Sequence, residues 1–361
     1  MRCLLLTDSD IALRESALIH RLVIGLLDAG VHVAHAAPES VLSRIEPSLG
    51  VESLAYRSRG FSWTRPMRAA ELLSRFERVT EVSAGDPGLV HVIGAGSLAL
   101  GAEIARAGDL SLVIDAHARS VVSPVARLLG ERSEGVVLAG SRSIGDALLA
   151  EGLSATGIRE VRWGVPPADG RAPRSSETVS VAIGGLGASP DDWARCLRGV
   201  AEAAAETDSV VVFADADACE RARVGPLIGA LGLSPLFSRV PDFESRRELV
   251  VRSDVLLWPE STGETRSLVL DAMAHQTPVV ALADRDVSCL ATPGPAELVS
   301  GDEQSWMTAI QRLIGSEEHR RNAGAAGAEY VRLNHSASAH VGAVVDAYEW
   351  AVSGARAGSA R

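Results

Sequence analysis

The residues best suited to chemistry lie within positions 255–281, VLLWPESTGETRSLVLDAMAHQTPVVA. A short apolar run, a polar turn, a helix-patterned segment, Pro278 and a second apolar run predict strand, loop, helix and strand. Ser261, Thr262, Gly263, Glu264, Thr265 and Arg266 fall at the helix's leading edge, followed by Ser267, Leu268 and Asp271. A loop entering a helix at the carboxyl end of a parallel strand presents N–H groups and a positive dipole end, which favour phosphate. Gly184, Gly185 and Gly187 follow the expected strand Val179–Ile183. They either admit a ligand close to the backbone or make a tight strand-to-helix turn.

The elements that would position these residues repeat along the chain. Expected strands at 2–7, 31–36, 89–93, 112–114 and 135–139 alternate with helices at 18–29, 97–107, 122–129 and 143–151. Such alternation argues for βαβ units and a parallel sheet. The polar, Pro-rich run PPADGRAPRSSE reads as a linker, after which alternation restarts. Two Rossmann-like domains are expected, residues 1–167 and 178–335, joined by 168–177 and followed by a terminal helix and tail at 336–361. At 361 residues each half is long enough to bury its own core.

Composition excludes several function classes. All 35 basic residues are Arg, so Schiff-base chemistry, pyridoxal phosphate attachment and the P-loop lysine are ruled out. The first 165 residues hold 17 Arg and 19 acids, the remainder 18 Arg and 27 acids, so no broad nucleic-acid surface is expected. Cys3, Cys196, Cys219 and Cys289 show no C-x-x-C spacing, and no metal site or disulfide framework is expected. No apolar run reaches the roughly 18 residues a membrane helix needs. MRCLLLTDSD reads as a first strand, not a signal peptide, giving a cytoplasmic expectation. Asp8-Ser9-Asp10 and Asp215-Ala216-Asp217 imitate a metal-binding D-x-D but read as turn residues and helix caps. Gly94-Ala95-Gly96 is only a fragment of a dinucleotide fingerprint.

The 255–281 segment resembles the donor-site pattern P-S-x-x-E-G-F-G-L-x-x-L-E-A-M-A-x-G-x-P-V-V-A of retaining, nucleotide-sugar-dependent glycosyltransferases of the GT-B fold, the group 1 family. The resemblance extends to HRLVIGLLDAGVHVAHAAPE, LVHVIGAGSLALGAEIARAGDLSLVIDAHARS, VVLAGSRSIGDALLAEGL, REVRWGVPP and ELVVRSDVLLWPES. It implies an α/β GT-B fold, two Rossmann-like domains with parallel sheets facing across a cleft, and a last helix packing on the N-terminal domain. The implied activity is transfer of a sugar from a nucleotide-sugar to an acceptor hydroxyl, with retention, without metal, and with the nucleotide-sugar as co-substrate in place of a cofactor.

The resemblance also assigns roles. His117 stands where the family has a histidine near the reacting carbon, and Asp271 where its second glutamate stands. The first glutamate falls on Gly263, with Glu264 one residue late. Gly185 and Pro190 replace the Arg and Lys that hold the donor diphosphate, and Leu13-Arg14 replaces a Gly-Gly loop. A diphosphate carries about two negative charges, and each charge-assisted hydrogen bond contributes roughly 1.5 to 3 kcal/mol. Arg266 is either the replacement cation, with Ser267, Leu268 and backbone N–H groups as further donor contacts, or an exposed residue at the helix start. Asp271 either binds a ribose diol or sits partly exposed in the first or second turn; Glu264 either faces the sugar or sits near the helix N-terminus; His117 is either catalytic or structural.

Residues 57–78 carry six Arg with Phe61, Trp63 and Phe76 among them. They read as a solvated loop and helix face or as a surface for an anionic lipid or phosphorylated acceptor. Two other functions stay open: a catalytically weakened relative that binds nucleotide, glycan or protein, and an NAD(P)-dependent oxidoreductase.

Overall fold

The computed structural model describes residues 1–45, 50–58, 61–80, 87–130, 135–168, 170, 178–206 and 210–359. Most of the expected linker, residues 169 and 171–177, lies outside the described residues, as does Arg59. The chain divides into two compact units, Met1–Trp163 with Ala337–Arg361, and Gly164–Ser336.

The first unit contains β1 (Arg2–Thr7), β2 (His32–Pro38), β3 (Glu52–Tyr56), β4 (Gly88–Ile93), β5 (Ser111–Ala116), β6 (Val136–Ala139) and β7 (Ile158–Glu160). All pair in parallel, in the order β3-β2-β1-β4-β5-β6-β7. The second unit contains β8 (Val179–Ile183), β9 (Val210–Asp215), β10 (Phe237–Val240), β11 (Val255–Trp258), β12 (Val279–Leu282) and β13 (Glu297–Val299). These too are parallel, in the order β10-β9-β8-β11-β12-β13. Strand order reverses between β1 and β4 and again between β8 and β11, which marks a ligand crevice at each carboxyl edge.

Helices cover both faces of a parallel sheet, so its inner strands are buried throughout and read as continuous apolar runs. Cys3 to Leu6 in β1 and Val255 to Leu257 in β11 are wholly buried. In the second unit the helices Pro190–Ala205 and Glu303–Gly315 bring Trp193 and Trp306 into one core. Gly199 permits this contact, since a Cβ there would stand 2.7 Å from Trp306 Cβ.

The terminal helical pattern forms two helices, Glu317–Asn334 and Ala337–Ser359. Between them Val165 donates its amide to the His335 carbonyl at 2.8 Å, and His335 Nε2 lies 2.9 Å from Ser288 Oγ. These contacts end the first helix in the second unit, and the second helix belongs to the first unit. There Tyr348 Oη meets His91 Nδ1 at 2.7 Å and Cys3 Sγ at 3.5 Å, fastening the helix to β4 and β1. Burial pushes His91 down to about 4, with His340 adding to the effect against the opposing pull of Asp115.

Candidate functional site

In the second unit Pro259 ends the buried strand β11, and a polar loop leads to the eight-residue helix Ser267–Ala274. Every residue of that helix is buried, so the sheet and neighbouring helices hold it from all sides. Its amino end comes one residue after Arg266, and residues 261–266 form the approach loop. Ser267 and Asp271 are four apart and share one face. Asp271 is 3% exposed and paired with Arg247 Nη1, while Arg247 Nη2 donates to Ser267 Oγ at 2.8 Å. Arg247 opens the helix Arg247–Arg252. Nothing in the sequence singles it out among its many arginines, because its partners lie 20 and 24 positions away.

Arg266, the expected phosphate cation, is 1% exposed and holds two carboxylates. Nη2 reaches Glu244, and Nη1 reaches Glu264 Oε1 at 2.6 Å. A guanidinium buried this deeply is stable only when paired, and the chain supplies both partners itself. Glu264, expected at the sugar or simply near the helix N-terminus, lies three residues before the helix and is engaged by Arg266. Leu268 is wholly buried, leaving only its backbone to serve a ligand.

The glycine loop is approached by a group from within the chain. Glu260 Oε2 accepts the amides of Leu186 at 2.5 Å and Gly187 at 3.0 Å, and Oε1 accepts that of Ser189 at 2.9 Å. Gly184 packs on the Trp258 ring, where a Cβ would come within 2.7 Å, and Gly187 has φ +69°. The loop is tight, and a carboxylate of the chain itself lies against it. A second link of this kind joins Asp284 Oδ2 to the Gly263 amide at 2.7 Å.

In the first unit His117 follows β5 directly and is buried, stacked on Trp163 with ring centroids 4.8 Å apart and planes at 20°. Its Nδ1 lies 3.7 Å from Asp115 Oδ1, and Asp115 Oδ2 accepts Trp163 Nε1–H at 2.9 Å. Burial alone would raise the Asp115 carboxyl, but His117, His91 and the indole N–H together hold it below its ordinary value. Asp8 caps the helix Ser9–Arg14, which contains Leu13 and Arg14, and its Oδ2 accepts the Gly96 amide at 2.9 Å. Asp215 caps the helix Ala216–Arg221. Among the described residues no group of three or more His, Cys, Asp or Glu is placed to hold a metal ion. Among them also, no helix is long and apolar enough to cross a membrane.

Of the aromatic residues in 57–78, Phe76 is wholly buried under the helix Arg65–Val79, because it shares the helix's core face with Ala69 and Leu72. Phe61 and Trp63 stay 71% and 75% exposed and stack at 6.0 Å. A cavity of about 850 Å³ opens at the amino ends of β5 and β6, lined by Ser111, Val136, Leu129 and Trp350 among others. None of its lining residues is one the sequence singles out.

No protein-family model matches the chain, and no curated protein matches it in sequence. Solved structures do match over nearly the whole length. A glycosyltransferase of Rickettsia africae ESF-5 superimposes with TM-score 0.73 at 12% identity, over 97% of this chain and 98% of that one. HepE of Anabaena, solved with UDP-glucose, gives 0.72 at 14% identity over 96% and 99%. Sucrose-phosphate synthase of Thermosynechococcus elongatus gives 0.70 at 16% identity over 97% and 99%. At such identities the likeness is one of architecture: the chain has the GT-B fold of these glycosyltransferases, two Rossmann-like units each built on a parallel sheet.

Proposed function

We propose that the protein is a nucleotide-sugar-dependent glycosyltransferase whose second unit holds the donor. The observation that carries this reading is the Arg247, Ser267 and Asp271 cluster at the amino end of the helix that follows β11. Arg247 there supplies the cation that Gly185 and Pro190 lack, and the helix N–H groups add a positive dipole end. Asp271, held in place by Arg247, is the proposed acceptor for a ribose hydroxyl. Charge developing on the leaving diphosphate is met by Arg247 and these N–H groups, so no metal is required. His117, stacked on Trp163 and facing Asp115 in the first unit, is the proposed catalytic histidine, and the proposed stereochemical course is retention. The stacked Phe61 and Trp63, flanked by arginines, are proposed to meet an anionic acceptor or membrane surface.

A second reading, a relative that binds nucleotide or glycan without turnover, is favoured by the pairing of Arg266 with Glu244 and Glu264. Coupled detection of released nucleoside diphosphate from UDP-, GDP- and ADP-sugars separates the two. The transferase reading expects release above the protein-free rate, lost in Asp271→Asn; saturable binding without release supports the second reading. Fluorescence titration with NADH and NADPH tests the oxidoreductase alternative, which expects a bound-cofactor signal.

A further inference from the structure

At the point where the second unit's strand order reverses, the chain has placed an anion of its own. The loops after β8 and β11 flank this crevice, where an open α/β sheet admits ligands. Glu260, on the β11 side, is 1% exposed. Its two oxygens take three amides of the β8 side, those of Leu186, Gly187 and Ser189, at 2.5, 3.0 and 2.9 Å. Successive N–H groups converging ahead of a sixteen-residue helix make the kind of concave nest that binds phosphate. Here its occupant is covalently tethered to the sheet.

The fit leaves no room for a second anion. A Cβ on Gly185 would stand 2.9 Å from Glu260 Oε2 and 3.1 Å from the Trp193 ring, so the carboxylate lies directly on the backbone. Asp191 and Asp192 occupy the first turn of the Pro190–Ala205 helix, adding negative charge at the same end. Arg221 Nε donates to the Leu186 carbonyl at 2.5 Å, an interaction with the loop's acceptor. A ligand phosphate entering the nest would meet a buried carboxylate at close range, where like charges repel strongly. It would also compete with a group whose tether gives an effective concentration on the order of millimolar or above.

We infer that Glu260 is the specificity-determining residue of the donor site: its carboxylate takes a ligand phosphate's place in the β8 amide nest and excludes phosphate from it. The inference deepens the donor reading and rests on it for the word donor. Phosphate is then gripped only on the Arg247 side, and a nucleotide gains little from any group directed at the β8 loop.

The test uses inorganic pyrophosphate, titrated calorimetrically into the full chain at low salt. The wild type is expected to bind at or above about millimolar Kd, and Glu260→Ser at least about tenfold more tightly. Glu260→Gln, which keeps the shape without the charge, is expected between them. A Glu260→Ser protein with native circular dichroism and unchanged pyrophosphate affinity overturns the inference. The wild type supplies an independent measurement should the variant fail to fold: the amide resonances of Leu186, Gly187 and Ser189 are expected to stay fixed on addition of pyrophosphate. Their movement with saturation overturns the inference. A wild type that ignores every nucleotide refutes the donor reading alone, because the pyrophosphate gain in Glu260→Ser does not depend on it.

Discussion

Arg247 spans two positions of the helix that follows β11, pairing with Asp271 through one Nη and with Ser267 Oγ through the other. The planar guanidinium thereby fixes the Asp271 carboxylate one turn inside the helix. The pair is nearly buried on both sides, so its electrostatics are weakly screened by solvent.

Replacing Arg247 by Ala is expected to cost about 3 to 5 kcal/mol of stability, since it leaves a buried carboxylate uncompensated. Urea unfolding measures this. Arg247→Lys keeps the charge without the two-pronged geometry and is expected to retain part of that stability. Nucleotide affinity in either variant is expected to fall by about 1.5 to 3 kcal/mol, the contribution of a charge-assisted hydrogen bond.

Arg266→Ala is expected to be mainly a stability variant. It takes the guanidinium from buried Glu244 and part-buried Glu264, at a cost of about 3 to 5 kcal/mol. The Kd of the folded protein for nucleotide is expected to change by less than about twofold, below one charge-assisted hydrogen bond. A large Kd change with little loss of stability contradicts this assignment.

The two glycines at 187 and 229 are expected to respond oppositely to alanine. Gly187 has φ +69°, and a Cβ there would meet the Ala218 carbonyl oxygen at 2.4 Å. Gly187→Ala is expected to destabilise by about 1 to 3 kcal/mol, from backbone strain alone. Gly229 lies in the helix Gly225–Ala230, with nothing within 4 Å of a Cβ. Gly229→Ala is expected to stabilise by about 0.4 to 1 kcal/mol, through the lower entropy of the unfolded chain. Paired thermal melts decide both signs.

Acid lability is expected well above the carboxylate range. Burial lowers both His35 and His91 from 6.5 to about 4. Between these values the unfolded chain binds protons that the folded chain refuses, so stability rises with pH. The stability present above about 6.5 is lost progressively as pH falls through about 4, up to about 3 kcal/mol for each residue. Urea midpoints that stay level from pH 7.5 to pH 4.5 contradict this account.

The inner strands are legible in the sequence because parallel strands covered on both faces become unbroken apolar runs, as in Arg2–Thr7 and Val255–Trp258. The edge strands Glu52–Tyr56, Ile158–Glu160, Phe237–Val240 and Glu297–Val299 are short and partly exposed, with no run to mark them. At the site, Ser267 is marked by its place at the helix's leading edge, and Asp271 by its place in the donor-site pattern that the segment resembles. Glu260 and Arg247 do not, because their roles arise only when β8 stands beside β11 and when the Arg247–Arg252 helix packs against Ser267–Ala274. Arg266 illustrates the converse: position suggested a ligand cation, and burial assigned it two internal carboxylates.

The central claim is that the second unit holds a nucleotide-sugar against Asp271. Calorimetry and thermal shift of the full chain against UDP, GDP, ADP and their sugar conjugates, with NAD and NADP as controls, test it most directly. Stabilisation by RT ln(1 + [L]/Kd) makes even modest affinity visible. The account predicts saturable stabilisation by one nucleotide-sugar series, weakened by about tenfold or more in Asp271→Asn, the effect of losing a charge-assisted hydrogen bond. Absence of any nucleotide response at about millimolar ligand, or equal binding in Asp271→Asn, contradicts it.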